Sequence, residues 1–328
     1  MLCLVTAALA ATAPRPNIVV LLTDNMGWAN VGFHRPPDVP AREIHTPNLD
    51  ELAADGLVLD RHYTYKFCSP SRSSFLSGRL PFHVNVYNDD PTTTPGAGVP
   101  VNMTIISQKL NTAGYTSHFI GKWHVGMASK STQTPQARGF ATTLNYFDSG
   151  NNYYDSTTDQ DCFDPASGKE VTAVDLWDTG GPASHLNGTY EETLFGERAV
   201  QTVRAHDTRA GPLFLYYAFH TSCTGYNASG QGGWFDKWSS LQPVMEYYDM
   251  FPFIEQHDRR ANTAMVAYMD AIVGNITAEL KVRQRAELAR RRRRRRRRRW
   301  LRLRLPWAEG VRARARAHPC AAAGEHTG

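Results

Sequence analysis

The stretch Asn17-Ile18-Val19-Val20-Leu21-Leu22-Thr23 decides the reading of the fold: it is a continuous apolar, β-branched run with no polar residue alternating through it. Such a run is the pattern of a strand buried on both faces, found in largely parallel sheets covered by helices on either side. Asp24 and Asn25 follow at its carboxyl end. In open α/β sheets ligands gather at that end of the strands, which makes both residues candidates for a site.

Outward from this strand, Thr46-Pro47 opens a helix over residues 48–55, with Thr46 as N-cap, Pro47 at the first helical position and Gly56 as the stop. A second helix is expected to begin just after Pro70, to run through Ser77 and to stop at Gly78, which places Cys68 at or beside a helix N-terminus. Residues 104–112 read as a helix, and residues 115–120 as a strand that delivers Gly121-Lys122-Trp123-His124 into the following loop. Residues 212–219 form a third buried strand with His220 beyond it, and residues 261–280 a long helix. This alternation of strand and helix predicts an α/β sandwich, and the Asp24, Lys122 and His220 neighbourhoods all fall at strand ends.

The chain of 328 residues is long enough for one large domain or for a core domain with a smaller part. Its formal charge of +5 misleads until the charges are located. From Val282 onward there are 17 Arg and 3 Glu, which leaves 19 Lys and Arg against 28 Asp and Glu in the rest. The body is acidic, so no nucleic-acid partner is expected for it. The unbroken run Arg290–Arg299 cannot bury a core and is expected to be disordered unless it meets a polyanion. Residues 283–328 are therefore read as a low-complexity tail, disordered or an out-of-frame artefact of the deduced sequence, behind a domain over residues 14–282.

Residues 1–13 are a short apolar run with small residues at Ala11 and Ala13, which reads as a signal peptide, a buried first strand being the alternative. Asn-x-Ser/Thr sequons at Asn102, Asn187, Asn227 and Asn275 fit passage through a glycosylating compartment. The expected destination is secreted or lysosomal. Cys3 and Cys320 fall in the signal and the tail; if Cys68 is consumed in chemistry, Cys162 and Cys223 remain as two cysteines that could pair in an oxidising compartment. Beyond the N-terminus no run approaches the ~20 apolar residues of a membrane span, so none is expected.

Cys68-Ser69-Pro70-Ser71-Arg72, continued by Leu76-Ser77-Gly78-Arg79, resembles the C-x-P-S-R motif and T-G-R-like extension of the type I sulfatases. Further segments fall in that family's order: residues 17–32, Thr46 to Asp50, Gly121 to Gly126, Arg138-Gly139-Phe140 and Met265 to Leu280. The likeness covers most of residues 17–281 and in detail is closest to the arylsulfatase B group. It implies an alkaline-phosphatase-like sandwich, a largely parallel central sheet flanked by helices, with the C-terminal small domain absent.

The resemblance also implies a sulfuric ester hydrolase, an arylsulfatase or carbohydrate sulfatase, whose nucleophile is formylglycine made from Cys68 by the formylglycine-generating enzyme. A thiolate attacking sulfur would leave no internal route to release. A hydrated aldehyde has one hydroxyl to attack sulfur and a second whose deprotonation expels sulfate. Arg72 would hold that diol. A divalent cation, Ca2+, would be bound through Asp24, Asn25 and the residue at position 68. The family usually has two adjacent Asp here, and Asn25 removes one negative charge while keeping an amide oxygen.

Lys122 and His124 resemble the family pair that contacts the sulfate and the bridging oxygen, where a cation and an imidazole offset the charge of the leaving alkoxide. A further family His falls at Cys223 in an ungapped match, and His220 lies three residues earlier. Either the loop is shifted and His220 substitutes, or this contact is lost. The family's later Asp-Asn ligand pair and active-site Lys have no counterpart. Two alternatives therefore stand beside the enzyme: a catalytically inactive sulfatase-like binding protein, and a polyanion-binding protein working through the Arg-rich tail. The expected substrate is a sulfated small molecule or a sulfated polysaccharide, with Pro70 and Arg72 beside Cys68 favouring sulfate over phosphate.

Overall fold

The computed structural model of the chain describes residues 15–36, 41–85, 98–158, 164, 166–169, 171–222 and 241–315. The signal segment, Cys3, Cys162, Cys223, Cys320 and the sequon at Asn227 lie outside them. In chain order the elements are β1 (Ile18–Leu22), α1 (Pro47–Asp55), α2 (Cys68–Ser77), α3 (Pro81–Val84), α4 (Ile106–Thr112), β2 (Thr116–Lys122), β3 (Thr142–Tyr146), β4 (Thr157–Thr158), β5 (Ala173–Val174), β6 (Trp177–Asp178), β7 (Gly181–Pro182), α5 (Glu191–Ala205), β8 (Leu213–Ala218), α6 (Met245–Tyr248) and α7 (His257–Ala315).

Six strands form one sheet in the order β1-β8-β2-β3-β6-β7, and β4 and β5 form a separate two-stranded ribbon. The first four are parallel, and β6 and β7 join antiparallel. The sheet is thus largely parallel and α/β in character, as expected. Its register matters for function. Leu22 and Gly121 both stand opposite Ala218, and Lys122 stands opposite Tyr146, so four strands end at one level.

Every residue of β8, Leu213-Phe214-Leu215-Tyr216-Tyr217-Ala218, is buried, which makes it the heart of the sheet. On one face Phe119, Trp123, Phe140, Phe214 and Tyr216 pack ring against ring. On the other, α5 lays down Phe195, Ala199 and Val203, with Phe195 stacked on Tyr146. Each large ring buried in this way contributes on the order of 2–3 kcal/mol.

Several expectations are corrected. β1 was expected to be buried on both faces, but each of its residues is only half-buried, because it is the edge strand of the sheet. Lys122 was expected in a loop and is instead the last residue of β2, since its pairing with Tyr146 continues the ladder. The helix expected after Pro70 begins at Cys68 itself, and Gly78 ends it in the left-handed region as anticipated, at φ 66°. Thr46 sits at the N-cap of α1, yet its side chain makes no capping bond. Instead the carboxylate of Asp270 on α7 accepts the backbone N–H groups of Asn48 and Leu49, at 3.1 and 2.8 Å. An anion at a helix N-terminus is equally effective whether it comes from the helix or from far along the chain.

The chain divides into two compact units, Met1–Thr277 and Ala278–Gly328. The first holds the sheet and its helices, including the start of α7. The second is described as helical backbone as far as Ala315, across the Arg run. Among the described residues no helix is long and apolar enough to cross a membrane.

Candidate active site

The site residues come to one place because the strands end together. β1 leads to Asp24, β2 to Lys122 and His124, and β8 to His220, while α2 supplies Cys68 and Arg72. Asp24 is the hub. Its Oδ2 accepts Lys122 Nζ at 2.7 Å and Arg72 Nη2 at 3.0 Å, and its Oδ1 faces Cys68 Sγ at 3.7 Å. Arg72 is pinned at its other end, Nη1 donating to the carbonyl of Lys122 at 2.8 Å. Burial pushes the Asp24 carboxyl upward, but Lys122 and Arg72 outweigh it and hold the group well below the usual carboxylate range.

Asp24, Arg72, Lys122 and His124 are all buried, whereas Cys68 is partly accessible. The helix that begins at Cys68 turns its N-terminus toward the same cluster, and such a terminus favours negative charge. Arg72 is four residues on, which places it one turn further along the same face. The spacing in the motif therefore lets one helix present both Cys68 and Arg72 to Asp24.

His124 has a left-handed backbone at φ 48°, a sparsely populated region for a residue with a Cβ. Its N–H donates to the carbonyl of Phe147 at 3.1 Å. Neither ring nitrogen has a hydrogen-bond partner among the described residues, although both are buried. Burial first, then Lys122 and Arg72, hold the imidazole well below its ordinary value and therefore neutral.

His220 is brought into the same region. Asp24 N donates to Thr221 O at 3.1 Å and Ser222 N to Asp24 O at 2.7 Å, so the segment after β8 is laced to the one after β1. The imidazole stacks on Tyr153, with ring centroids 4.0 Å apart, and its Nδ1 bonds to Glu191 Oε1. Tyr146, at the end of β3, is tilted against the same imidazole at 5.0 Å. Asn25 is exposed beside Asp24 in a left-handed conformation, φ 54°, that asparagine tolerates better than most residues.

Sequence reasoning missed Glu191, Glu192, Tyr146 and Tyr153. The signal was present at α5: Phe195, Ala199 and Val203 recur at helical spacing, and extending that face back one turn reaches the two glutamates. Two charged residues at the head of an apolar stripe read as solvent, but both are fully buried. Glu192 accepts from His220 N, Thr221 N and Thr221 Oγ1 on Oε1 and from Tyr217 OH on Oε2. Burial, together with Glu192 alongside, pushes the Glu191 carboxyl well up.

The divalent cation implied by the family likeness is only half provided for. Asp24 and Asn25 offer a carboxylate and an amide, whereas a calcium ion takes about six to eight oxygens. Among the described residues no group of three or more His, Cys, Asp or Glu gathers to hold a metal. Asp24 Oδ2 is already engaged by two cations. These residues do not by themselves fit the ion.

A largely parallel α/β sheet thus gathers a helix-borne cysteine, an aspartate and two cations at the ends of its strands. The particular family follows from likeness: the model of the Sulfatase family matches residues 16–287, and the chain belongs to that family. It is 30% identical to mouse (Mus musculus) arylsulfatase J over 272 residues, 83% of this chain and 40% of the relative. It is 32% identical over 239 residues to mouse N-acetylgalactosamine-6-sulfatase, 68% of this chain and 43% of the relative. Among solved structures, the crystal structure of Ps i-CgsB matches with a TM-score of 0.60 at 29% identity, covering 81% of this chain and 55% of that one. The fold is accordingly alkaline-phosphatase-like. The chain spans less than half the length of these curated relatives.

Proposed function

We propose that this chain hydrolyses sulfate esters at Cys68, after its conversion to formylglycine by the formylglycine-generating enzyme on passage through the secretory pathway to a secreted or lysosomal destination. One observation carries the reading. Cys68 Sγ lies 3.7 Å from Asp24 Oδ1, while Arg72 and Lys122 both reach Asp24 Oδ2, so an attacking group at position 68 would work beside two buried cations.

The aldehyde, hydrated, supplies a hydroxyl to attack sulfur and a second hydroxyl to release the sulfate. The remaining roles fall to the chain's own residues. Arg72 holds the hydroxyls of residue 68. Lys122 draws the sulfate oxygens in and offsets charge as the S–O bond to the alcohol breaks. His124, whose ring nitrogens have no hydrogen-bond partner among the described residues, contacts the bridging oxygen, and His220 supplies a second imidazole. Asp24 holds Lys122 and Arg72 in place.

A sulfated saccharide is the favoured substrate class, a small aryl sulfate being the simplest reporter. A close structural relative, Ps i-CgsB at 28% identity, has been solved in complex with k-i-k-neocarrahexaose. The test compares an aryl sulfate with the matching aryl phosphate. Sulfate release that disappears in Cys68→Ala is expected; turnover of the phosphate alone would assign the site to phosphoryl chemistry. A second reading, an inactive sulfatase-like binding protein, is favoured by the half-provided cation site. It predicts sulfate binding that is lost in Lys122→Ala with no release by the parent chain.

A further inference from the structure

His220 and Glu191 are fully buried and joined through Nδ1 and Oε1, yet the carboxylate has no part in the chemistry so far. The surroundings over-determine the ring. Tyr153 lies flat against it at 4.0 Å with planes only 6° apart, and Tyr146 is tilted against it at 5.0 Å. Tyr153 OH also donates to His220 O at 3.0 Å. These contacts orient the plane of the imidazole, and stacking by itself does not distinguish Nδ1 from Nε2.

The bond of Nδ1 to Glu191 distinguishes the two ring nitrogens. Glu191 is the first residue of α5, and its own N–H donates to Tyr153 O at 2.7 Å, so the backbone that carries the carboxylate is fixed to the residue on which the imidazole stacks. Its neighbour Glu192 performs a separate task, binding the backbone of His220 and Thr221 at 2.7 and 3.0 Å. Adjacent glutamates thus divide the work, one holding the main chain after β8 and the other the side chain. Thr221 and Ser222 are in turn bonded to Asp24, so the grip extends to the hub of the site.

We propose that Glu191 is a positioning residue: by committing His220 Nδ1 it sets the tautomer and face of the imidazole, so that Nε2 is the nitrogen that meets the sulfate ester. A carboxylate behind an imidazole is a recurrent way to fix which nitrogen acts, and its loss leaves the ring present but misassigned. The inference rests on the reading of His220 as part of a sulfatase site.

The experiment uses the full chain labelled with ¹⁵N-histidine. In the parent protein His220 is expected in one locked tautomer with a slowly exchanging proton in the Nδ1–Glu191 hydrogen bond, and in Glu191→Gln that signature is expected to vanish. With an aryl sulfate, Glu191→Gln is expected to lower kcat by about 10–100-fold with KM little changed, a part of the ~10²–10⁴-fold that an acid–base imidazole supplies. In a His220→Gln background the same substitution is expected to cost nothing more.

An unchanged tautomer in Glu191→Gln overturns the proposal, as does an undiminished loss in the His220→Gln background. A parent His220 that populates both tautomers overturns it regardless of how the variants fold. Where the parent chain turns over no sulfate ester, the sulfatase reading fails alone, and the tautomer measurement still decides the role of Glu191.

Discussion

Lys122 Nζ and Asp24 Oδ2 stand 2.7 Å apart, both buried, and Arg72 shares the same oxygen at 3.0 Å. Removing the shared anion leaves two buried cations without a counter-charge. Asp24→Asn is therefore expected to destabilise the chain by about 3–5 kcal/mol, read from urea unfolding at neutral pH. A loss below about 1 kcal/mol would mean that the cluster is solvated.

The same cluster predicts a pH dependence. The Asp24 carboxyl titrates well below its ordinary value of about 4, so the unfolded chain takes up its proton first as pH falls. Its stabilisation is complete above about pH 4 and fades as pH drops toward the folded value. The stability gap between the parent and Asp24→Asn is expected to be flat from about pH 5 to 7 and to narrow below about pH 4.

At the opposite, amino end of the strands, His118 on β2 lies beside a cavity of about 410 Å³ that His206 and Thr142 also line. Burial, then His206 with ring centroids 6.3 Å away, pushes the His118 imidazole down to about 4. The unfolded chain binds this proton near pH 6.5, the native chain only near 4, so stability is full above about 6.5 and declines between the two. His118→Gln, which keeps a partner for Thr142 Oγ1, is expected to flatten the fall in Tm between about pH 6.5 and 4. An unaltered slope would remove His118 from the account.

Gly121 lies where β2 and β8 meet, with φ +88°, and a Cβ there would come within 1.9 Å of Ala218 O. Backbone cannot yield as a side chain would. Gly121→Ala is expected to cost about 3 kcal/mol or more, from the disfavoured conformation and the overlap together. Since Lys122 and His124 follow directly, sulfate release should fall further than the loss of folded protein explains, which activity per folded molecule measures.

Glu192 receives four donors, from His220, Thr221 twice and Tyr217. Glu192→Gln brings an amide N–H₂ to face hydroxyl and N–H donors and is expected to cost about 2–3 kcal/mol by denaturant unfolding. A neutral effect would show that these donors find other acceptors.

Much of this site was legible from sequence because chemistry and strand ends coincide. The run of residues 17–23 announced a parallel sheet, and Cys68, Arg72, Lys122 and His124 each fell on or next to the segment that carries them to the cluster. What was not legible depends on contacts between distant segments. The edge position of β1 follows from strand order, which its own apolar run does not encode. The capping of α1 by Asp270 spans more than 200 positions. The glutamates of α5 resemble an exposed helix start until Tyr217, His220 and Thr221 are seen to surround Glu192. His220 itself was left open between substitution and loss. The geometry brings it beside Asp24, three positions before the cysteine that an ungapped match had offered.

The central claim is that residue 68 becomes the nucleophile of a sulfate ester hydrolase. Its most direct test is sulfate release from an aryl sulfate by the full chain co-produced with the formylglycine-generating enzyme, scaled to the aldehyde content of the peptide spanning Phe67 to Arg72 by mass spectrometry. The account predicts release proportional to aldehyde content and none from Cys68→Ala. Full conversion to the aldehyde with no release, or release from chains that retain the thiol, would contradict it.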